Sequence, residues 1–184
     1  MPLSNEEKIW LIDEVVSTAM ASWQIYVEGD KKFSNWPKER QKQPEYVGYT
    51  TLKALLSYSL MASCYALVDT GKRSYSMHQA VKDPELFVTP VAKQEYEKCC
   101  DLRSKIATYR NNVTAHVNST RTQSDWAQFA GIKNGEISAF LQSAHKFIEE
   151  LGRANLHEGF VPSSRMLFKR DFRAFCRVIA DQDD

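Results

Sequence analysis

Glycine and proline are scarce in this 184-residue chain, seven and six of them respectively. Strict apolar–polar alternation is missing as well, so β-hairpins, sandwiches and barrels are excluded as the main architecture. The four cysteines, Cys64, Cys99, Cys100 and Cys176, include no CxxC pair, and Cys99-Cys100 falls inside a helical pattern. That usage suits reduced packing thiols and argues against a disulfide scaffold or a zinc site. His78, His145 and His157 lack metal-ligand spacing and read as structural or exposed residues. No Gly-rich loop offers a nucleotide cradle, so neither cofactor nor metal is expected. No uninterrupted apolar run approaches the roughly 18 residues of a membrane span, and no apolar run follows a basic leader. The expectation is a cytoplasmic protein without a membrane partner. Net charge is only +1, so any affinity for anions must come from local patches.

What is present is helical periodicity. With 43% hydrophobic and 26% charged residues, the chain can bury one core and is too short to demand a second domain. Ser4 and Glu7 form a capping-box pattern. Ile9, Ile12, Val16, Ala19, Trp23 and Val27 then follow at 3-4 spacing, up to Gly29-Asp30, where the first helix is expected to end. A Pro-broken, charged connection over 30–45 leads to a second helix from about Gly48 to Asp69. Its apolar residues cover most sides, so it is expected to be the most buried helix. Ser74 to Val81 suggests a short helix. Thr89-Pro90 starts a long one carrying Cys99, Leu102, Ile106, Tyr109 and Val113. Residues 118–134, with Trp126 and Phe129, form a polar connection. Another helix carries Ile137 to Leu151 and is followed up to Gly152. A last one, capped by Ser163 or Ser164, carries Phe168, Phe172, Phe175 and Ile179. The sum is an all-α bundle of about five to six helices with up-down packing, in a single domain over 1–184.

Chemistry concentrates in Tyr109-Arg110-Asn111-Asn112-Val113-Thr114-Ala115-His116. A permanent cation stands six residues before the one side chain that titrates near neutrality. On an ideal helix the two project about 120° apart and about 9 Å apart along the axis, each about 60° from the apolar stripe. Both therefore border the buried seam. RNA brings its own nucleophile, the 2′-hydroxyl. A protein need only move a proton, a role suited to His116, and meet the developing phosphorane charge, a role suited to Arg110. Asn111 and Asn112 add amides that can orient the imidazole or hold a phosphate oxygen. DNA lacks the 2′-hydroxyl and should be spared.

An Arg, four to six intervening residues and a His, with Asn beside the Arg, resembles the motif of the HEPN superfamily (higher eukaryotes and prokaryotes nucleotide-binding). Arg110, Asn111 and His116 match it residue for residue, and Ala115 and the Tyr109-Arg110-Asn111 opening are similar to common forms. The strings Ala66-Leu67-Val68-Asp69 and Ser74-Tyr75-Ser76-Met77 resemble the abortive-infection type U branch. The likeness covers about 5–155, leaving a C-terminal helix at about 164–181 outside it. It implies a HEPN-like bundle, a homodimer whose two motifs converge in one cleft, metal-independent RNA cleavage with Arg110, His116 and Asn111 as catalytic residues, and a role in phage defence or a toxin–antitoxin system with an antitoxin protein as partner. One subgroup ends its motif His-x-Tyr and has that Tyr modified by a nucleotidyltransferase; here the residue is Asn118, which argues against such a partner.

The last helix adds Arg165, Lys169, Arg170, Arg173 and Arg177 opposite its phenylalanine stripe, a candidate phosphate-tracking ridge or simply a solvated face. The alternative to a nuclease is a non-catalytic helical module that uses the same polar border to bind a partner protein or a nucleotide.

Overall fold

A computed structural model describes residues 2–33, 35–71, 75–115 and 131–163, with the backbone alone at 45 and over 111–115. Every regular element among them is a helix: α1 (Asn5–Phe33), a short 3-10 turn (Arg40–Lys42), α2 (Pro44–Val68), α3 (Met77–Lys82), α4 (Pro90–Asp101), α5 (Arg103–Ala115) and α6 (Asn134–Asn155). The all-α bundle expected from the periodicity is what the chain forms. The expected C-terminal helix, with Arg165, Lys169, Arg170, Arg173 and Arg177, and the stretch holding Trp126 and Phe129 lie outside the described residues.

Helix starts follow local chemistry. Glu7 N donates to Ser4 Oγ at 3.2 Å while Ser4 N donates to the Glu7 carboxylate at 2.7 Å, a reciprocal box. Thr89 Oγ1 accepts from Ala92 N at 3.1 Å with Pro90 at the first position. The short helix begins later than expected, because Ser76 rather than Ser74 is its cap and Gln79 closes the box.

Packing makes an up-down arrangement. Asp30 of α1 accepts from Lys53 and Tyr49 of α2, and Ser22 Oγ donates to Ser59 Oγ, so α1 and α2 run antiparallel. Cys99 of α4 reaches the Phe140 carbonyl and Glu95 reaches Lys146, so α4 and α6 are antiparallel too. Helix α5 lies along α2, and α6 closes the ring against α1. Ile9, Ile12, Val16, Cys64, Leu67, Ile106, Phe147, Ile148 and Leu151 are buried at the centre. Burying a side chain of their size contributes about 1.5–3 kcal/mol.

Three expectations are corrected. Gly29-Asp30 does not end α1; the helix runs on to Phe33. Gly29 is there for close approach, since a Cβ on it would meet Tyr49 Cε2 at 2.4 Å. The third long helix is two: at Leu102 the amide turns to the Cys99 carbonyl three residues back, which divides α4, packed on α6, from α5, packed on α2. And α2 is not the most buried helix. Val47, Leu52, Leu55 and Tyr58 are exposed, Leu55 by 64%, whereas α6 buries eight residues from Ile137 to Gly152. By length and composition Tyr46–Val68 is apolar enough to cross a membrane. Its inner side is nonetheless committed to the bundle through Leu60, Met61, Cys64, Leu67 and Val68.

Buried polar groups act as ties. Asp13, fully buried on α1, accepts from Ser163 N at 3.0 Å and Ser163 Oγ at 2.6 Å, so the segment after α6 folds back onto α1. Lys8 reaches Asp83 at 2.9 Å and Glu85 at 2.6 Å, fastening α1 to the connection before α4.

Three of the helical glycines should separate sharply. At Gly152 a Cβ would lie 2.2 Å from Phe160 Cδ1, so Gly152→Ala should lose about 1–3 kcal/mol by overpacking. Gly29→Ala should also lose stability. Gly48 has nothing within 4 Å, so Gly48→Ala should gain up to about 1 kcal/mol from helix propensity. Urea unfolding midpoints check all three; stabilisation at Gly152 would contradict this packing.

Candidate active site at the end of helix α5

The register of α5 is set by Ile106 and Tyr109, both buried against the core. With those inward, the next residue must fall on the rim, and Arg110 is exposed there. Its guanidinium carbon lies 4.2 Å from the ring centroid of Tyr65, a half-buried residue of α2. Stacking of this kind contributes about 0.5–1 kcal/mol at an exposed site, and it holds a long side chain flat with its N–H donors arrayed around the edge. The expectation that Arg110 borders a helix–helix seam therefore holds, and the seam is α2–α5.

The other members of the motif are reached only by the backbone or not at all. Asn111 and Asn112 belong to the last turns of α5, which ends at Ala115, and their side chains lie outside the described residues. So does His116, the next residue in the chain. The described structure thus joins Arg110 to Tyr65, a residue that no motif pointed to. Tyr65 looks in the sequence like one more apolar position of a helix, so nothing local could have singled it out.

A second polar cluster lies at the other end of α5. His78 of α3 shares a 2.6 Å hydrogen bond with the Tyr96 hydroxyl of α4. Arg103, the first residue of α5, donates to Thr70 Oγ1 at 2.6 Å. Burial pushes the Tyr96 hydroxyl well above its ordinary range, and a hydrogen bond with Cys100 adds to this. Burial alone pushes the Cys64 thiol up to about 12. Cys99 is raised by burial too and then by Cys100, so these two thiols pack rather than attack.

The His78 imidazole is held below its ordinary value of 6.5, first by burial and then by the charges of Lys82 and Arg103, with Asp69 opposing. A histidine depressed in the folded state takes its proton more readily in the unfolded chain. Stability is therefore withdrawn as pH falls below about 6.5 towards the folded value. An NMR titration of the imidazole C–H signals should give His78 a midpoint under 6.5; a midpoint above it would contradict the geometry.

A family model, HEPN AbiU2, described as AbiU2, aligns with residues 11–164. No curated protein and no solved structure matches the chain. The matched span takes in α2 to α6, the α2–α5 seam and the whole Arg110–His116 stretch. The chain belongs to the AbiU2 family of HEPN proteins.

Proposed function

We propose that this protein is a metal-independent endoribonuclease of HEPN type, serving phage defence or a toxin–antitoxin system. The observation that carries the reading is Arg110, a permanent cation held over Tyr65 on the exposed edge of α5, six residues before His116.

The chemistry needs few groups. His116 takes the proton of the RNA 2′-hydroxyl as the 2′-oxygen bonds to phosphorus. The bond from phosphorus to the 5′-oxygen breaks, and the departing oxygen takes up a proton. The products are a 2′,3′-cyclic phosphate and a 5′-hydroxyl. Arg110 offsets the charge that builds on the non-bridging oxygens, in a geometry prepared before the substrate arrives. Asn111 positions the imidazole or a phosphate oxygen.

The active form is a homodimer in this reading, and α2 supplies its surface. Val47, Leu55, Tyr58 and Ala62 are exposed along one face of α2, and Tyr65 continues that face to the ring under Arg110. An apolar stripe of this kind on a bundle whose core is already filled suits a second copy. Pairing through it brings two Arg110–His116 motifs to one cleft.

Incubation of the full chain with mixed RNAs should give cleavage that persists in EDTA and leaves cyclic phosphate ends. His116→Ala should keep the fold and lose about 10²-fold or more in rate. Arg110→Ala should lose about 10²–10³-fold. Unchanged cleavage in His116→Ala ends the proposal, and RNA binding without cleavage would favour the non-catalytic module. Leu55→Glu should run as a monomer in analytical ultracentrifugation and lose cleavage with it. A fully active monomer would remove the dimer from the mechanism.

A further inference from the structure

Helix α1 turns Ile9, Ile12, Val16 and Ala19 to the core. By about 100° per residue, roughly the opposite side carries Ser17, Ala21 and Ser22. These three floor a groove of about 480 Å³, with Trp10 towards one end and Ile25 at the other. A helix with one side in water normally sets charged residues there. From Val15 to Val27 this helix has none on any side. Ser17 is only 8% exposed, and among the described residues its hydroxyl has no hydrogen-bond partner. Buried hydroxyls are nearly always paired, so this one points to a further group in the groove.

Two contacts show which part of the chain arrives there. The Phe160 ring lies 5.5 Å from that of Trp10, and Ser163 bonds Asp13 through both its amide and its hydroxyl. Three residues of chain thus advance beside three residues of α1, in the same direction, and Ser163 ends this advance on the groove wall. Residues 164–184 follow. Their sequence repeats Phe168, Phe172, Phe175 and Ile179 at helical spacing, with Arg165, Lys169, Arg170, Arg173 and Arg177 between them. Two parallel helices rise equally, about 1.5 Å per residue, so each residue would keep level with the one 150 positions earlier. Phe168, Phe172 and Phe175 then fall level with Thr18, Ser22 and Ile25, all of which line the groove.

We propose that the groove on α1 is the seat of this chain's own C-terminal segment, which lies along α1 as a parallel helix. Phe168, Phe172 and Phe175 enter the groove, where the small floor residues leave room for rings. The basic residues face solvent. Ser17 accepts a hydrogen bond from an amide of the first turn, where a helix leaves its N–H groups unpaired. The seat does not depend on what the Arg110–His116 stretch does.

The test is digestion of the full chain with trypsin under native conditions, with cuts after Arg165, Lys169, Arg170, Arg173 and Arg177 followed by mass spectrometry. Docking should make these cuts about tenfold or more slower than in Phe172→Ser, which frees the segment without touching residues 2–163. Ala21→Glu, a good helix former that puts a carboxylate on the groove floor, should release the same cuts. The double variant should be cut no faster than either single one. Slow cutting at Lys53 and Lys93 in every variant shows that the bundle stays folded. Cuts as fast in the unaltered chain as in Phe172→Ser overturn the proposal. Slow cuts that a folded Ala21→Glu leaves unmoved place the segment elsewhere and overturn it too. Protection lost on dilution gives the groove to a second copy's segment and overturns docking within one chain.

Discussion

The register of α5 against α2 governs everything at the candidate site. Ile106 and Tyr109 are driven inward by the apolar area they bury, and one turn of helix then leaves no choice about where Arg110 goes. Tyr65 meets it because α2 runs past at the same level. A slip of one residue would carry Arg110 about 100° around the helix, towards the core or away from the ring. Hydrophobic burial, which has no direction of its own, is thereby converted into a placed cation.

Around that seam the fold uses charge as a fastening. Lys8 with Asp83 and Glu85, Glu95 with Lys146, and Asp13 with Ser163 each tie elements far apart in the chain. Glu95 is buried, yet its carboxylate is held below the ordinary range. Burial opposes this, and bonds to Lys98, Ser143 and Lys146 prevail.

Much of the architecture was legible beforehand, because 3-4 periodicity and capping chemistry are local. The Ser4–Glu7 box, the Thr89-Pro90 start and the inward set Cys99, Leu102, Ile106 and Tyr109 all follow from neighbours within one or two turns. The errors share a cause. Gly29 looked like a stop because glycine is a poor helix former, but a neighbouring ring, invisible in the local sequence, needed its missing side chain. Helix α2 looked central because it is apolar all round; only the assembled bundle shows that one of its faces has no partner among the described residues. The break at Leu102 answers two different neighbours, α6 and α2, which no periodic pattern records.

By itself the sequence determined the helical class, most helix starts and the chemical character of the Arg110–His116 stretch, since each depends on residues a few positions apart. Tertiary structure alone decided that Tyr65 lies under Arg110, that His78 meets the Tyr96 hydroxyl, and that Asp13 is satisfied by a serine 150 residues away. Those relations depend on which helix packs beside which, and that is settled by the summed burial of many side chains rather than by any short string of them.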